Sequence, residues 1–222
     1  MSRDKLRLLL KKPPALKDTP LAAPYFRLLS EGVWPFSSGL LDDPDHYTLA
    51  SLLLALLVPV GFRIHPIAGA FFMLLSGVAD SLSDVAAEKT GRNTPLAAFL
   101  NSMMDRVRDF LFLFGFWVLF FAEEDPLPAA GLVFASYLLL VLFNFARTRA
   151  EGLGVTCTEG LMERGFRTLY LIVWAVFLGL FASARANVLW GGFILFDLLL
   201  MAALVQRLVE IQGSLMGRAG KG

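Results

Sequence analysis

Apolar residues in this chain come in long runs separated by short polar connections, too long for strands or for the one-sided helices of a soluble domain. Six runs, at about 47–64, 66–88, 95–122, 128–148, 167–185 and 188–209, approach or exceed the roughly 20 residues a helix needs to cross a bilayer. Pro66, Pro95 and Pro128 stand near three of the starts, where proline is tolerated because that N–H has no helical partner anyway. Ahead of the runs, "LAAPYFRLLSEGVWPF" mixes Leu, Tyr, Phe and Trp with Arg27 and Glu31, as an amphipathic helix lying in the interface does. The pattern predicts an all-α polytopic membrane protein. Its parts are a basic arm and interfacial helix over 1–46, a six-helix membrane domain over 47–210, and a tail over 211–222. No repeat, low-complexity tract or second soluble domain stands out.

Composition sharpens this picture. A chain of 222 residues that is 56% hydrophobic, with 20 phenylalanines, has more apolar surface than a soluble domain of its length hides. The first 20 residues are basic but lack an apolar core and a small-residue cleavage site, so they read as a cytosolic arm rather than a signal peptide. The net charge of +1 says little, but its placement orients the bundle. Lys and Arg concentrate in the amino arm, at Lys89 and Arg92, at Arg147, Arg149, Arg164 and Arg167, and at the carboxyl end (Arg207, Arg218, Lys221). Only Arg63 and Arg185 fall on the other side, where "EEDP" forms a loop. The positive-inside rule then places both termini in the cytoplasm, and the expected location is a bacterial or archaeal plasma membrane. The amino-terminal basic residues have no interleaved aromatics, which argues for anionic lipid and against nucleic acid. The single cysteine, Cys157, excludes an intramolecular disulfide.

One segment breaks the apolar logic: "ADSLSDVAAEKTGRNTPLAAFLNSMMDRVRD", residues 79–109. Ionised side chains are expensive in membrane helices and face the bundle interior or water. Asp80 and Asp84 are one turn apart, as are Asp105 and Asp109, and the short "EKTGRNTP" connection brings both pairs toward one membrane surface. Two readings fit the spacing equally. The acids hold a hard divalent cation such as Mg²⁺, or they pair with Arg106 and Arg108 in a structural network.

At these residues the chain resembles the CDP-alcohol phosphatidyltransferase family, whose signature is D-x2-D-G-x2-A-R-x8-G-x3-D-x3-D. Every interval fits when the pattern is laid on Asp80, through Ser83, Asp84, Ala87, Glu88, Ala97 and Asn101 to Asp105, but only Asp80, Ala87 and Asp105 keep the family's identity. "PDHYT" (Pro44 to Thr48) is similar to the family's P-N-x-x-T opening of the first helix. "FLNSMMDR" and "RTRAEGLGVTCTEGLMERGFR" (Arg147 to Arg167) resemble segments of its phosphatidylinositol-phosphate synthase branch. The likeness runs from about residue 20 to 210.

The resemblance implies displacement of CMP from a CDP-linked lipid such as CDP-diacylglycerol by an alcohol, with Mg²⁺ or Mn²⁺ as cofactor. Carried over by position, Asp80, Asp84, Asn101 and Asp105 are the candidate metal ligands, with Asp105 as the base. Asp84, Ala87 and Ala97 line the CDP position, and Arg147, Arg149, Arg164 and Arg167 hold a phosphorylated headgroup. The departures fall together. Ser83 and Asn101 supply no charge to offset cations. Asp84 stands where a glycine admits the nucleotide, and Glu88 reverses a cation. These changes point to a degraded site in a protein that binds a lipid, a headgroup or a partner. The alternative is an active transferase in which Asp84 substitutes for the lost ligand. The resemblance also implies a homodimer. His46 and His65 have no zinc spacing and read as structural or interfacial, the four tryptophans read as interfacial or packing residues, and Asp197 either pairs with a neighbour or lines a dimer contact.

Overall fold

The computed structural model describes residues 23–37, 43–92, 94–121, 126–155, 162–181 and 185–219. The basic arm, most of the "EEDP" loop, Cys157 and the last three residues lie outside them. Everything described is helix or short connection. A helical stretch, α1, is built from Ala23–Arg27, a wide π-type turn over Leu28–Val33, and Trp34–Ser37. Then follow α2 (Pro44–Leu56), α3 (Val58–Ile64), α4 (Pro66–Thr90), α5 (Pro95–Phe120), α6 (Pro126–Gly152), α7 (Arg164–Leu180) and α8 (Arg185–Ala219).

Proline punctuates these starts. Pro44, Pro66, Pro95 and Pro126 each open a helix, so α2 begins before the expected 47 and α6 at Pro126 rather than Pro128. Pro59 interrupts the first apolar run. It has no N–H to give to the Ala55 carbonyl, and the helical bonding breaks at Leu57. His65 sits between α3 and α4, and its Nδ1 accepts the Ile67 N–H at 3.2 Å, which bears out its structural reading. At its far end α8 continues to Ala219, past the expected 209.

Four described helices are long and apolar enough to cross a membrane: Pro44–Ile64, Pro66–Thr90, Leu127–Gly152 and Ala186–Met216. They make the chain an integral membrane protein. The two other expected spans differ for visible reasons. α5 carries Asp105, Arg106, Arg108 and Asp109 near its middle, and α7 is only 17 residues long.

The chain divides into two compact units, Met1–Ala55 with Leu74–Val107, and Leu56–Met73 with Arg108–Gly222. In the first, α1 lays Phe26, Leu29, Val33 and Trp34 against Tyr47 of α2 and Val78, Leu82, Val85 and Ala86 of α4. Hydroxyl groups tie α2 to α4. Ser51 donates to the Ser76 carbonyl at 2.9 Å and Ser76 returns a bond to the Ser51 carbonyl at 2.8 Å.

Aromatic packing dominates the second unit. Trp174 stacks on Phe116 with centroids 4.1 Å apart, meets Phe193 edge-on, and donates its indole N–H to the Val188 carbonyl at 3.1 Å. Trp34, Trp117 and Trp190 likewise pair with Tyr47, Phe121 and Phe120, so all four tryptophans serve packing. Phe62 is buried where Gly69 and Gly115 leave room, since a Cβ on either would stand 2.6 Å from its ring. α8 packs against α6 and α7. Within the first of these contacts Ser136 lies 2.6 Å from an Asp197 carboxylate oxygen, which resolves that acid as the partner of a neighbouring helix.

Gly192 of α8 faces Trp174 so closely that an added Cβ would run into the indole ring. Gly192→Ala is expected to destabilise the protein by about 1–3 kcal/mol, the usual cost of overpacking, read as a lowered unfolding temperature in detergent; unchanged unfolding would show that the helices separate freely here.

Candidate functional site

Two groups of residues carry the chemistry that the sequence singles out, one in each unit. In the first unit, α4 presents Asp80, Ser83, Asp84, Ala87 and Glu88, and α5 presents Ala97, Asn101 and Asp105. Asp80 and Ser83 are buried, at 7% and 5% exposure, while Asp84, Ala87, Ala97, Asn101 and Asp105 are half-buried and Glu88 is exposed.

Ser83 is already engaged. Its hydroxyl donates to the Pro44 carbonyl at 3.0 Å and lies 2.7 Å from the Thr48 hydroxyl, which also reaches the Pro44 carbonyl at 3.3 Å. The position at which the family signature has its second aspartate is here a hydrogen-bonded tie between α4 and the first turn of α2. Asp43 caps that turn by accepting the Asp45 N–H at 3.2 Å, and Arg92 pairs with Asp43 at 2.8 Å. "PDHYT" is thus a helix start fastened from two directions.

Other neighbours of the segment come from α1. Tyr25 donates to the Ser81 hydroxyl at 3.2 Å. Partial burial pushes the Tyr25 phenol above its ordinary pKa; the Ser81 bond opposes this and the Asp80 charge adds to it. Glu88 lines a polar cleft of about 280 Å³ together with Phe26, Arg27, Ser30, Glu31, Val85 and Lys89. The reversed charge therefore sits in a rim of mixed sign against α1.

The fit to a metal can be tested directly. Among the described residues no three His, Cys, Asp or Glu side chains form a group able to hold a metal ion. The Asn101 side-chain oxygen is buried with no hydrogen-bond partner among the described residues, and one oxygen of the buried Asp80 carboxylate accepts no hydrogen bond among them either, so a neutral and a charged oxygen are on offer. A pair of divalent cations is held best by clustered carboxylates, and the described residues show no group of three.

The second group lies at the ends of α6, α7 and α8. α6 stops in a glycine turn: Val155 N–H bonds the Ala150 carbonyl and Gly154 N–H the Glu151 carbonyl, both at 2.9 Å, with Gly154 at a φ of 79°. Ala150 and Val155 pack against Ile211 and Leu215 of α8. This stop, written in the sequence as "EGLG", sets Arg147 and Glu151 beside the start of α7. Arg147 reaches Glu151 at 2.9 Å and Glu163 at 3.1 Å. The other oxygen of Glu163 takes Arg207 at 2.5 Å. Arg207 stacks on the buried Phe143 ring, 3.8 Å from its centroid. Arg167, also buried, donates to the Met162 carbonyl at 3.0 Å and pairs with Asp109 at 3.3 Å.

Of the four arginines singled out by sequence, Arg147 and Arg167 enter these pairs, Arg164 is half-buried at the first turn of α7, and Arg149 is exposed. Sequence reasoning missed Arg207, which it counted as tail charge although α8 carries it into the interior at 3% exposure. A lone arginine in "MAALVQRLVE" was the available signal. It also assigned Glu163 no role of its own. A separate apolar groove of about 430 Å³ along α7 and α8 has no charged lining and offers nothing to a headgroup.

Comparison with known proteins adds family-level information. No family model matches the chain. It is 30% identical over 201 residues to the archaetidylinositol phosphate synthase of Aeropyrum pernix, covering 86% of this chain and 94% of that protein. Two crystal structures of Mycobacterium tuberculosis phosphatidylinositol phosphate synthase share the fold. The one with CDP-DAG bound aligns at a TM-score of 0.61 and 23% identity, covering 87% of this chain and 94% of that one. The one in complex with manganese and citrate aligns at 0.64 and 22%, covering 84% and 88%.

The Ser83 tie makes a testable demand. Ser83→Asp restores the signature residue but sets a carboxylate against the Pro44 carbonyl. It should lower stability by about 1–3 kcal/mol in metal-free buffer, because the Ser83 bond to the Pro44 carbonyl is lost and a carboxylate is buried in its place. Ser83→Ala should cost less. Equal stability of Ser83→Asp and the native chain, read by thermal unfolding, would show that the tie is dispensable.

Proposed function

Because the chain belongs to the CDP-alcohol phosphatidyltransferase family, we propose that it is a membrane protein of phospholipid metabolism whose metal and CDP site is altered, that lacks the standard transfer, and that binds a phosphorylated headgroup through its arginines. The observation that carries this reading is the engagement of Ser83 with Pro44 and Thr48. A side chain spent on holding α2 to α4 is a poor replacement for a charged ligand. Glu88, Ala97 and Asn101 weaken the same function, and Asp84 brings bulk and negative charge to a position where a pyrophosphate approaches. On the other side, Arg147, Arg167 and Arg207 are held in fixed poses by protein contacts. Planar guanidiniums in fixed poses suit phosphate, which they bind through paired hydrogen bonds.

The same reading takes the six apolar runs as spans, with α5 and α7 completing the bundle, α1 in the interface and both termini in the cytoplasm of a bacterial or archaeal cell. It takes 47–210 as the membrane domain and expects a homodimer or a partner protein. A second reading draws support from the burial of Asp80, the retained Asp105 and the open Asn101 oxygen. In it, Asp80, Asp84, Asn101 and Asp105 form a shifted site for Mg²⁺ or Mn²⁺, and the chain moves a phosphatidyl group from a CDP-lipid to an alcohol with release of CMP.

Ligand-induced stabilisation separates the two. A ligand at about 100 times its Kd raises stability by about 2.7 kcal/mol. Purified protein titrated with CDP-diacylglycerol and Mn²⁺ is expected to show no metal-dependent rise in unfolding temperature and no CMP release with inositol phosphate, while inositol phosphate alone stabilises it. A metal-dependent rise that is abolished in Asp80→Asn and Asp105→Asn would replace this reading with the active transferase.

A further inference from the structure

We propose that Glu163 is a specificity-determining residue: its carboxylate occupies the anion seat between Arg147 and Arg207, so that only a ligand carrying a full phosphomonoester charge displaces it and an uncharged alcohol does not. The inference rests on the headgroup reading above. Glu163 uses one oxygen for Arg147, at 3.1 Å, and the other for Arg207, at 2.5 Å. Two guanidiniums converging on one small anion is the arrangement by which proteins hold phosphate, and here a side chain of the protein fills it.

The seat does not need Glu163 to persist. Arg207 keeps its place on the Phe143 ring, and Arg147 keeps Glu151 at 2.9 Å. Nor does α7 need the Glu163 side chain. Glu163 is the cap residue of that helix, in extended backbone with φ −62° and ψ 160°, yet its carboxylate makes no capping bond. The helix uses only its carbonyl, which accepts the Arg167 N–H at 3.0 Å. The carboxylate can therefore swing away without unravelling α7.

Charge then sets the selectivity. Arg147 and Arg207 are balanced by Glu151 and Glu163. A neutral polyol entering the seat offers no charge to replace the carboxylate it expels. A phosphomonoester brings close to two negative charges and three strong acceptor oxygens, and it exchanges with Glu163 at an electrostatic gain. The recognised group is a phosphomonoester, whether on a soluble ester or on a lipid headgroup.

The test compares the native full chain with Glu163→Gln in nanodiscs of zwitterionic lipid. Probes are inositol phosphate, unphosphorylated inositol, and discs doped with phosphatidic acid. Glu163→Gln empties the seat of its built-in anion, so phosphomonoester binding is expected to tighten at least about tenfold, the factor by which an occluded seat weakens apparent affinity. Inositol, with no carboxylate left to expel, should gain binding as well, so that the preference for the phosphomonoester narrows. Tightening for inositol phosphate assigns the seat to a soluble ester, and tightening confined to phosphatidic acid discs assigns it to a lipid headgroup; either supports the proposal. Should Glu163→Gln fail to fold, Glu163→Asp, too short to bridge both arginines, should show a smaller gain of the same sign. Binding by the native chain that is equal or weaker in the variants overturns the proposal and leaves Glu163 a structural counter-ion. Absence of phosphomonoester binding in native and variant alike overturns the headgroup reading and this proposal with it.

Discussion

Polar groups buried between the apolar helices of this chain have no bulk water to turn to, and that constraint organises what surrounds them. In an apolar medium an unpaired ionised or hydrogen-bonding group costs several kcal/mol, so each must be met from within the protein. Ser51 and Ser76 meet each other's carbonyls, Ser136 meets Asp197, and Arg167 meets Asp109. None of these pairs needs to be strong in the net. Their alternative is so unfavourable that they specify which helix faces which. Aromatic packing then fills the space, with Trp174, Phe116 and Phe193 supplying area rather than direction.

The same constraint gives a physical meaning to the altered signature. A carboxylate at position 83 needs a cation to justify its burial. A serine there is satisfied by the Pro44 carbonyl and the Thr48 hydroxyl, so α2 and α4 are tied at this point by neutral hydrogen bonds. Asn101 follows similar logic, because it retains an oxygen without a charge that demands compensation.

Sequence patterning made much of the fold legible, and its failures have identifiable causes. Long apolar runs and prolines marked the starts of the long helices to within a few residues. "EGLG" encodes a glycine stop whose φ of 79° at Gly154 is the feature that turns the chain. Pro59 lay within an expected span and interrupts its helical bonding at Leu57, a signal that was present and unread. What periodicity could not supply was partnership across long sequence separations. Ser83 finds a carbonyl 39 residues away, Asp197 a serine 61 away, and Arg207 a glutamate 44 away. Arg207 shows why charge counting fell short: a cation near a helix end reads as surface charge, and only packing against Phe143 shows that it points inward.

Glu163 marks where structural and functional demands coincide. Removing one partner from a buried ion pair typically costs about 3–5 kcal/mol, mostly through the charge left behind. Arg207 and Arg147 keep Phe143 and Glu151 as other contacts, but they are easier to hold with an anion between them, and Glu163 supplies it. A side chain that serves when no ligand is present keeps the protein folded. It also sets the threshold a ligand must exceed. A stronger internal anion would exclude every substrate, and none at all would let stability depend on ligand supply. A single carboxylate on a helix cap that does no capping satisfies both limits, because its departure removes one charge from the seat and no hydrogen bond from α7.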